Sequence, residues 1–568
     1  MASNFKTKSE RLNRFLAAGL FPREMPPPFV SADLAKHRVA LGATLDKLPK
    51  KGNELWFYRY ITTPEVILFP RPNRSERLFT IPNPISHFYL SREIADNWGE
   101  IRKHLGKAKC SASSLVYDWT GARTFITPNF KEWGRKIRAL SLESPYLLHS
   151  DISRYYHSIY THSIALALHT RIIAKKNRTN LLLGNRLDTL VRNGQDGQTI
   201  GLPVGPETSR VLAEIIGVAI DKELCASERR LKGTLIRFVD DITAGTQTTE
   251  QADRTRNLMR KVLRGYQLDI NDEKTETVRI ISLEYSSWRH ELRASMPPST
   301  GSIAKFETFF DLIHSLALRF PQANVPLYAL KMARVIFIAA SHWKTIEEFL
   351  LIIYRSYPVT LAVIVEILAN KNDGRHGIDV ARVQTFIRSN LKALVENDRL
   401  GEISWMLFLA KALRIVIRAA DVEPLTKINS SVCALLLCDL EAKGLISGTL
   451  NKAIWNKSLT HNGLTSEMWL YAYEASMKGW TGQPDAFIST SPHFRELRTL
   501  QISFYNENKN FLRVGAMVIQ ERRDRATANL ANKEEQLGDN ADDLMRQKIE
   551  SGDDFLVGDW DVEESYLG

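Results

Sequence analysis

Three aspartates of this chain stand where they could bind a metal together. Asp240 and Asp241 are adjacent inside an apolar run, and Asp151 ends a segment, Pro145 to Asp151, that is predicted to be a strand. Like charges side by side repel each other, so their burial requires a counter-charge. A divalent cation supplies it, because carboxylate oxygens are the ligands that Mg²⁺ prefers. An Asp-Asp pair alone is most often a solvated turn, but the three carboxylates together predict a two-metal site for phosphoryl transfer.

A second group of residues could bind the phosphates. The segment from Leu55 to Pro82 has an extended pattern with basic residues, which predicts a hairpin with Arg71, Arg74 and Arg77 near its turn. Guanidinium groups grip phosphate through paired hydrogen bonds. The cluster therefore indicates a triphosphate-binding hairpin, and a solvated charged loop is the alternative.

The elements that must position these residues divide the chain into four parts. Strand and helix patterns alternate over residues 46–300, which predicts a mixed α+β domain. Over residues 301–530, pairs of apolar helices recur about every forty residues. That second pattern is typical of an all-α, HEAT-like helical-repeat domain. Residues 1–45 are a proline-rich arm whose aromatic residues favour packing against another domain. Residues 531–568 form an acidic C-terminal tail.

Composition and charge indicate the kind of partner. The 568 residues allow two to four domains, and the 44% hydrophobic and 25% charged content is ordinary for a soluble globular protein. The net charge is +12, and because the C-terminal tail is acidic, the rest of the chain is more basic than the total. A basic body of this size indicates a polyanionic partner, most simply nucleic acid, while a basic protein without such a partner is the alternative.

The location of the protein is predicted from its cysteines and its apolar segments. The four cysteines lack zinc-site spacing, and Cys433 and Cys438 lie in an apolar helical run as expected core thiols. The N-terminus has no apolar signal core. The most apolar later run, residues 349–370, is interrupted by Arg355 and Pro358. We therefore expect a cytoplasmic protein that does not enter a membrane.

Ordered motifs around the aspartates resemble those of a known enzyme family. The segments Asp151 to Ile159, Gly201 to Ser209 and Arg237 to Asp241, followed by Lys274, resemble the signature motifs of reverse transcriptases in their order along the chain. The segment from Arg77 to Pro82 resembles the fingertip hairpin of the same domain. The resemblance covers residues 45 to 300 and implies a reverse-transcriptase palm-and-fingers domain followed by the helical domain.

The resemblance implies a metal site at the aspartates. Asp151 and Asp240 would bind both catalytic metals with help from Asp241, and Ile152 belongs to the same site. The expected cofactor is Mg²⁺, with Mn²⁺ as the alternative.

The resemblance also implies roles around the substrate. Arg71 and Arg77 match the basic pair that holds the triphosphate, and Gly205 lies in the substrate-binding loop. Tyr156 matches the aromatic gate that crowds a ribose 2′-hydroxyl, which implies deoxynucleotide substrates. Lys274 matches the lysine that protonates the leaving pyrophosphate, and a plain surface lysine is the alternative.

Within that family, the arm, the Gly-Leu-Pro-Val-Gly-Pro loop and the helical C-terminal half resemble bacterial defence-associated enzymes. These are the abortive-infection type and the antiphage systems that pair two reverse transcriptases. The loop has Val204 where the family often has glutamine, and the hairpin begins with Phe238 where tyrosine is usual. Because both positions lie near template or primer in relatives, the resemblance implies DNA synthesis that is untemplated, protein-primed or directed by an unconventional template.

This narrower resemblance singles out three further residues and several partners. Glu24, in the arm, is a candidate for reaching the active site and directing the product sequence. Tyr505 and Tyr566 are candidate hydroxyls for a protein primer. The expected partners are dNTPs, the DNA product, a non-coding RNA and a second reverse transcriptase, in a homo- or hetero-oligomer.

Two other functions remain open from the sequence. One is a conventional RNA-templated reverse transcriptase of retron or intron type. The other is a palm that binds nucleic acid as a scaffold without catalysis, although a scaffold has no need to keep all three carboxylates.

Overall fold

A computed structural model gives the architecture of residues 7–50, 55–72, 75–107, 110–119, 123–126, 130–280, 287–371 and 377–511. Arg74, Tyr566 and the acidic tail lie outside these described residues, so the predictions that concern them stay predictions.

The strands are few and short. They are β1 (Glu65–Pro70), β2 (Glu76–Ile81), β3 (Tyr146–Ile152), β4 (Leu235–Phe238), β5 (Asp241–Thr246), β6 (Ile270–Arg279), β7 (Ile417–Arg418) and β8 (Ile446–Ser447).

Helices make up most of the described chain. Those before residue 300 are α1 (Lys8–Ala18), α2 (Ala32–Lys36), α3 (Arg38–Leu45), α4 (Pro84–Asp96), α5 (Trp98–Leu105), α6 (Phe130–Glu143), α7 (Tyr155–Ser158), α8 (Ser163–His169), α9 (Arg171–Lys176), α10 (Leu183–Asn193), α11 (Glu207–Ser227), α12 (Leu231–Thr234), α13 (Thr249–Arg264) and α14 (Ser287–Ala294). Those after it are α15 (Ile303–Arg319), α16 (Val325–Ala339), α17 (Trp343–Ser356), α18 (Leu361–Lys371), α19 (Val380–Glu396), α20 (Leu400–Ala412), α21 (Ala419–Val422), α22 (Ser431–Ala442), α23 (Trp469–Met477), α24 (Ala486–Thr490) and α25 (Arg495–Thr499).

An antiparallel sheet of four strands, in the order β4-β5-β3-β6, lies at the centre of the mixed domain. Successive side chains of a strand point to opposite faces, so each strand can bury both. Leu148 and Ile242 belong to the main hydrophobic core, which also includes residues of α11 and α13. Leu147 and Ile236 form a separate cluster with residues of α6. Helices therefore cover both faces, and the strand ends are left to carry polar side chains.

The predicted hairpin is confirmed. Strands β1 and β2 pair antiparallel, with Phe69 opposite Arg77. Helix α20 contacts β1, and the approach is close enough that a Cβ on Gly401 would lie 2.4 Å from the Leu68 carbonyl oxygen. The carboxylate of Glu65, buried at the start of β1, accepts a hydrogen bond from the Ser430 hydroxyl at 2.8 Å. The hairpin is thus anchored on the helical half of the chain.

The proline-rich arm is packed, as the sequence predicts. The ring of Phe29 meets that of Tyr505 edge to face at a centroid distance of 5.2 Å. Val30 N–H donates to the Phe504 carbonyl at 3.0 Å, and Asn506 N–H donates to the Pro28 carbonyl at 2.8 Å. The arm therefore joins the mixed domain to the last described segment of the chain.

The helices after residue 300 form a layered array. Helices α16, α18, α20 and α22 pack side by side in that order, while α15, α17 and α19 contact α16, α18 and α20 respectively. The HEAT-like repeat stays a prediction, and the all-α assignment is wrong at β7 and β8, which pair in parallel. Helix α20 ends at Ala412, and the chain turns at Arg414 with a φ of +56°. No helix among the described residues has the length and hydropathy to span a membrane.

Candidate active site

Strand pairing brings the three predicted aspartates together. Asp151, in β3, lies directly opposite Asp241, the first residue of β5. The Ile152 N–H donates to the Asp240 carbonyl at 3.1 Å, so the facing pair Asp151 and Asp241 lies next to a hydrogen-bonded pair. In an antiparallel ladder such a position is the non-hydrogen-bonded one, where facing side chains come closest, with Cα atoms about 4.5 Å apart. The sheet itself therefore holds the carboxylates side by side.

Burial and the crowding of negative charge raise the pKa of two of these carboxylates. Burial and the neighbouring Asp151 charge raise the pKa of Asp240 above its ordinary value. The Asp241 side chain reaches solvent, yet partial removal of water together with the Asp240 and Asp151 charges raises its pKa to about 7. A cation at this position would remove the repulsion, as expected of a metal site.

Lys274 supplies one positive charge at the aspartates. It lies on β6, on the far side of β3 from β5. Its Nζ donates to Asp151 Oδ2 at 3.3 Å, and its side chain is otherwise well exposed. The structure therefore places Lys274 where a proton donor to a leaving group could act.

The predicted gate residue lies beside the glycine-rich loop. Tyr156 is half-buried in α7, a helix that begins directly after Arg154. The φ of +46° at Arg154 turns the chain away from β3. The Tyr156 carbonyl accepts a hydrogen bond from Leu202 N–H at 2.7 Å. Tyr156 and the Asp240 carboxylate lie within electrostatic reach of each other. The structure thus brings the loop, the tyrosine and the aspartates to one place.

Gly205 is the contact point between the loop and the arm. Its φ is +119°, in the region that favours glycine, and a Cβ there would lie 2.6 Å from Pro22 Cγ and 3.4 Å from the Thr80 carbonyl oxygen. Thr80 N–H donates to the Val204 carbonyl at 2.8 Å. Loop, hairpin and arm therefore meet at a position that has no room for a side chain.

Positive charge from the hairpin faces the aspartates. Burial and the neighbouring Arg71 lower the pKa of Arg77, and the Glu24 and Asp240 carboxylates oppose that shift. Burial raises the pKa of Glu24, against the charges of Arg23, Arg77 and Lys331. Glu24 is half-buried, and its carbonyl accepts from Trp405 Nε1 at 2.8 Å. The structure thus places Glu24 within electrostatic reach of Arg77, which in turn reaches Asp240.

The donor set fits a divalent cation chemically. Carboxylate oxygens are hard ligands of the kind that Mg²⁺ uses, and two of these three carboxylates have a raised pKa. Within the part of the chain that the structure describes, no three His, Cys, Asp or Glu side chains are arranged in metal-binding geometry. Asp151, Asp240 and Asp241 would therefore have to adjust their side-chain rotamers to bind a metal together.

Comparison with known proteins identifies the domain that carries these residues. Residues 107–301 match the family model described as reverse transcriptase (RNA-dependent DNA polymerase). The chain contains a reverse transcriptase domain. The predicted reverse transcriptase domain is thereby confirmed over residues 107–301. No curated protein matches the sequence significantly.

Three solved telomerases show weak structural similarity to the chain. A Candida albicans telomerase in complex with a TWJ fragment of telomeric RNA has 12% identity and a TM-score of 0.27, over 56% of this chain and 63% of that one. An apo telomerase from Candida tropicalis, truncated from the C-terminal domain, has 13% identity and a TM-score of 0.29, over 40% and 51% of the chains. Another apo Candida tropicalis telomerase has 12% identity and a TM-score of 0.29, over 75% and 76%. This chain thus spans just under two thirds of the first telomerase.

The structure corrects one candidate primer residue outside the reverse transcriptase domain. The Tyr505 side chain is fully buried, and its hydroxyl donates to Asp439 Oδ2 at 2.7 Å. A hydroxyl so enclosed cannot be reached by a nucleotide in this structure. The prediction of Tyr505 as a primer is therefore wrong for this conformation, and the residue anchors the arm through Phe29 instead.

Sequence reasoning missed two residues that order the reverse transcriptase domain. Arg23, in the arm, pairs with the buried carboxylate of Glu207 at the start of α11. Arg237 lies fully buried in β4, two residues from Val239. An arginine inside a short apolar strand was the available signal, because a buried charge requires partners.

Proposed function

We propose that this chain is an active DNA polymerase that transfers nucleotides from dNTPs to a growing DNA 3′ end. The observation that carries the proposal is the strand register that sets Asp151 opposite Asp241, with Asp240 in the adjoining turn. Phosphoryl transfer asks little of a protein beyond positioning and charge stabilisation. The reverse transcriptase domain supports this activity.

The chain's own residues have separable tasks in this reaction. Asp151, Asp240 and Asp241, together with Ile152, which directly follows Asp151 in β3, would hold Mg²⁺ or Mn²⁺. When bound, the metal lowers the pKa of the attacking hydroxyl and stabilises charge on the triphosphate. Lys274 stands beside Asp151 as proton donor to pyrophosphate.

Other residues bind and select the nucleotide. The guanidinium groups of Arg71 and Arg77 hold the triphosphate. The Tyr156 ring excludes a ribose 2′-hydroxyl, and Gly205, packed against Pro22, shapes the substrate-binding loop.

The way in which the product sequence is chosen is the second part of the proposal. Pro22 covers Gly205, and the Val204 carbonyl is already bound by Thr80 N–H. The arm and the hairpin thus contact the loop that lies near template or primer in relatives. We therefore propose unconventional templating, in which the arm restricts access and Glu24 contributes to the choice of nucleotide.

The biological role proposed is antiviral defence in the bacterial cytoplasm. The support is the resemblance of the arm, the loop and the helical half to abortive-infection and paired antiphage reverse transcriptases. Under this proposal the chain assembles with itself, with a second reverse transcriptase or with a non-coding RNA, and the basic body binds nucleic acid. Tyr566 remains the candidate hydroxyl for a protein primer. Loss of phage protection in cells that express the Asp240→Ala/Asp241→Ala variant is the expected result, and full protection by that variant would contradict the role.

One experiment tests both the activity and the choice of sequence. Purified protein is incubated with dNTPs and Mg²⁺ or Mn²⁺, with and without a primer annealed to RNA, and the product DNA is sequenced. DNA of a fixed sequence made without added template supports the proposal. Strict copying of the RNA would favour a conventional reverse transcriptase, and absence of both synthesis and dNTP binding would favour a scaffold.

A further inference from the structure

The residue directly before Asp240 has an uncommon backbone conformation. Val239 joins β4 to the turn that carries Asp240, and its φ is +58°. A β-branched residue rarely adopts this left-handed region, because its side chain crowds the backbone. Such a conformation persists only where the surroundings hold it, and it is typical of functional sites.

Two side chains hold the backbone groups of Val239. Its N–H donates to Ser113 Oγ at 3.1 Å, and its carbonyl accepts from Arg237 Nη1 at 3.0 Å. In an exposed turn, these backbone groups would ordinarily form hydrogen bonds with water. Here both are fixed by side chains that are themselves buried.

Arg237 is in turn fixed by two carboxylates of α11. Its Nε donates to both oxygens of Asp221 at 3.0 Å, and its Nη2 donates to Glu214 Oε1 at 2.9 Å. Ser113 Oγ donates to Glu214 Oε2 at 3.4 Å, so both holders of Val239 share one partner. Paired, hydrogen-bonded charges of this kind resist displacement, because moving one leaves the others buried and unpaired.

The helix is shaped to admit this arginine. A Cβ on Gly217 would lie 2.5 Å from the Arg237 guanidinium carbon. The network therefore joins α11, which follows the glycine-rich loop, to the turn of the aspartates.

We propose that Arg237 and Ser113 are positioning residues for DNA synthesis, which hold the Val239 peptide in its left-handed conformation and so place the Asp240 carboxylate. The inference rests on the proposed polymerase activity. Both side chains are buried, and both act through the Val239 peptide groups that they bind. A displacement of about 1 Å at a reacting group can cost on the order of a hundredfold in rate, which is the scale of effect such positioning can have.

Ser113→Ala tests this without leaving a buried charge unpaired. The matched control is Ser404→Ala, which removes another buried hydroxyl, one that donates to the Gly401 carbonyl in α20. A third variant, Val239→Asn, places at the turn a residue that tolerates the left-handed region. Each variant and the Ser113→Ala/Val239→Asn double variant are measured for kcat, for KM of dNTP, for thermal midpoint and for hydrogen exchange of the peptide spanning residues 236–242.

The expected result is specific to the turn. Ser113→Ala lowers kcat about tenfold or more, with KM within about twofold, and speeds exchange in the 236–242 peptide. Ser404→Ala changes neither, and in the Val239→Asn background the effect of Ser113→Ala falls below about threefold. Unchanged kcat and exchange in Ser113→Ala, or an equal loss in both backgrounds, would overturn the inference. If wild-type protein makes no DNA, the proposed function fails, and the exchange data alone then decide whether the network holds the turn.

Discussion

The packing of the arm against Gly205 through Pro22 can be tested by three glycine-to-alanine substitutions. Gly205 combines a φ of +119° with a Pro22 atom 2.6 Å from the position of a Cβ. Gly197 has a φ of +75° and no atom within 4 Å of that position. Gly99, in α5, has neither a positive φ nor a close neighbour. The series therefore separates backbone strain from steric contact with the arm.

The expected free energies follow from these differences. Gly99→Ala should stabilise its helix by up to about 1 kcal/mol, since alanine is the better helix former. Gly197→Ala should cost about 1–2 kcal/mol for the left-handed backbone alone. Gly205→Ala adds to that strain about 1–3 kcal/mol of overpacking, unless Pro22 and the arm move away.

Limited proteolysis after Arg23 measures release of the arm. Arg23 is paired with Glu207 while the arm is seated, so cleavage there requires local opening. When opening and closing are fast relative to cleavage, each 1.4 kcal/mol raises the cleavage rate about tenfold. We expect at least about a fivefold increase for Gly205→Ala and less than about twofold for Gly197→Ala and Gly99→Ala. Equal cleavage of the Gly205 and Gly197 variants would refute the placement of Pro22 on the loop.

Three further predictions concern the aspartates and their neighbours. Tyr156→Ala should raise the use of rNTPs relative to dNTPs by about tenfold or more in competition assays, and unaltered discrimination would remove the gate role. Lys274→Met should lower the single-turnover rate by about 10²-fold or more while primer binding stays constant, whereas Lys274→Arg should keep more of it. The pKa of Asp241 is raised to about 7 in the folded protein. The contribution of this carboxyl to the free energy of unfolding is therefore complete below about pH 4 and is lost as pH rises to 7. Without divalent cations the wild-type melting temperature should therefore fall between about pH 4 and 7 and level off above pH 7, and that of Asp241→Asn should fall less, so parallel curves would contradict the shift.

Local pattern was sufficient to predict much of the reverse transcriptase domain. The strand that carries Asp151 and the hairpin that bears Arg77 are short segments whose periodicity and flanking residues identify them. The order of the motifs then indicated that the aspartates belong together. The layered helices after residue 300 were likewise visible as repeated apolar segments.

The remaining features depend on contacts between distant parts of the chain. The register that sets Asp151 opposite Asp241 joins residues ninety positions apart, and no local pattern encodes it. Tyr505 is buried because the arm packs against it through Phe29, which lies far away in the sequence. The residues next to Tyr505 therefore could not show that it belongs to the core. Arg237 was visible as a charge in an apolar strand, but its partners lie on helix α11.

The central claim is that the three aspartates catalyse DNA synthesis, and one measurement tests it most directly. Incorporation of labelled dNTPs is compared for wild-type protein, the isosteric variant Asp240→Asn and the control Asp311→Asn, which changes an exposed aspartate of α15. Loss of a metal-binding carboxylate removes several kcal/mol of transition-state stabilisation, so Asp240→Asn should be slower by on the order of a thousandfold. Asp311→Asn should match the wild type. Incorporation by Asp240→Asn at the wild-type rate would contradict the account.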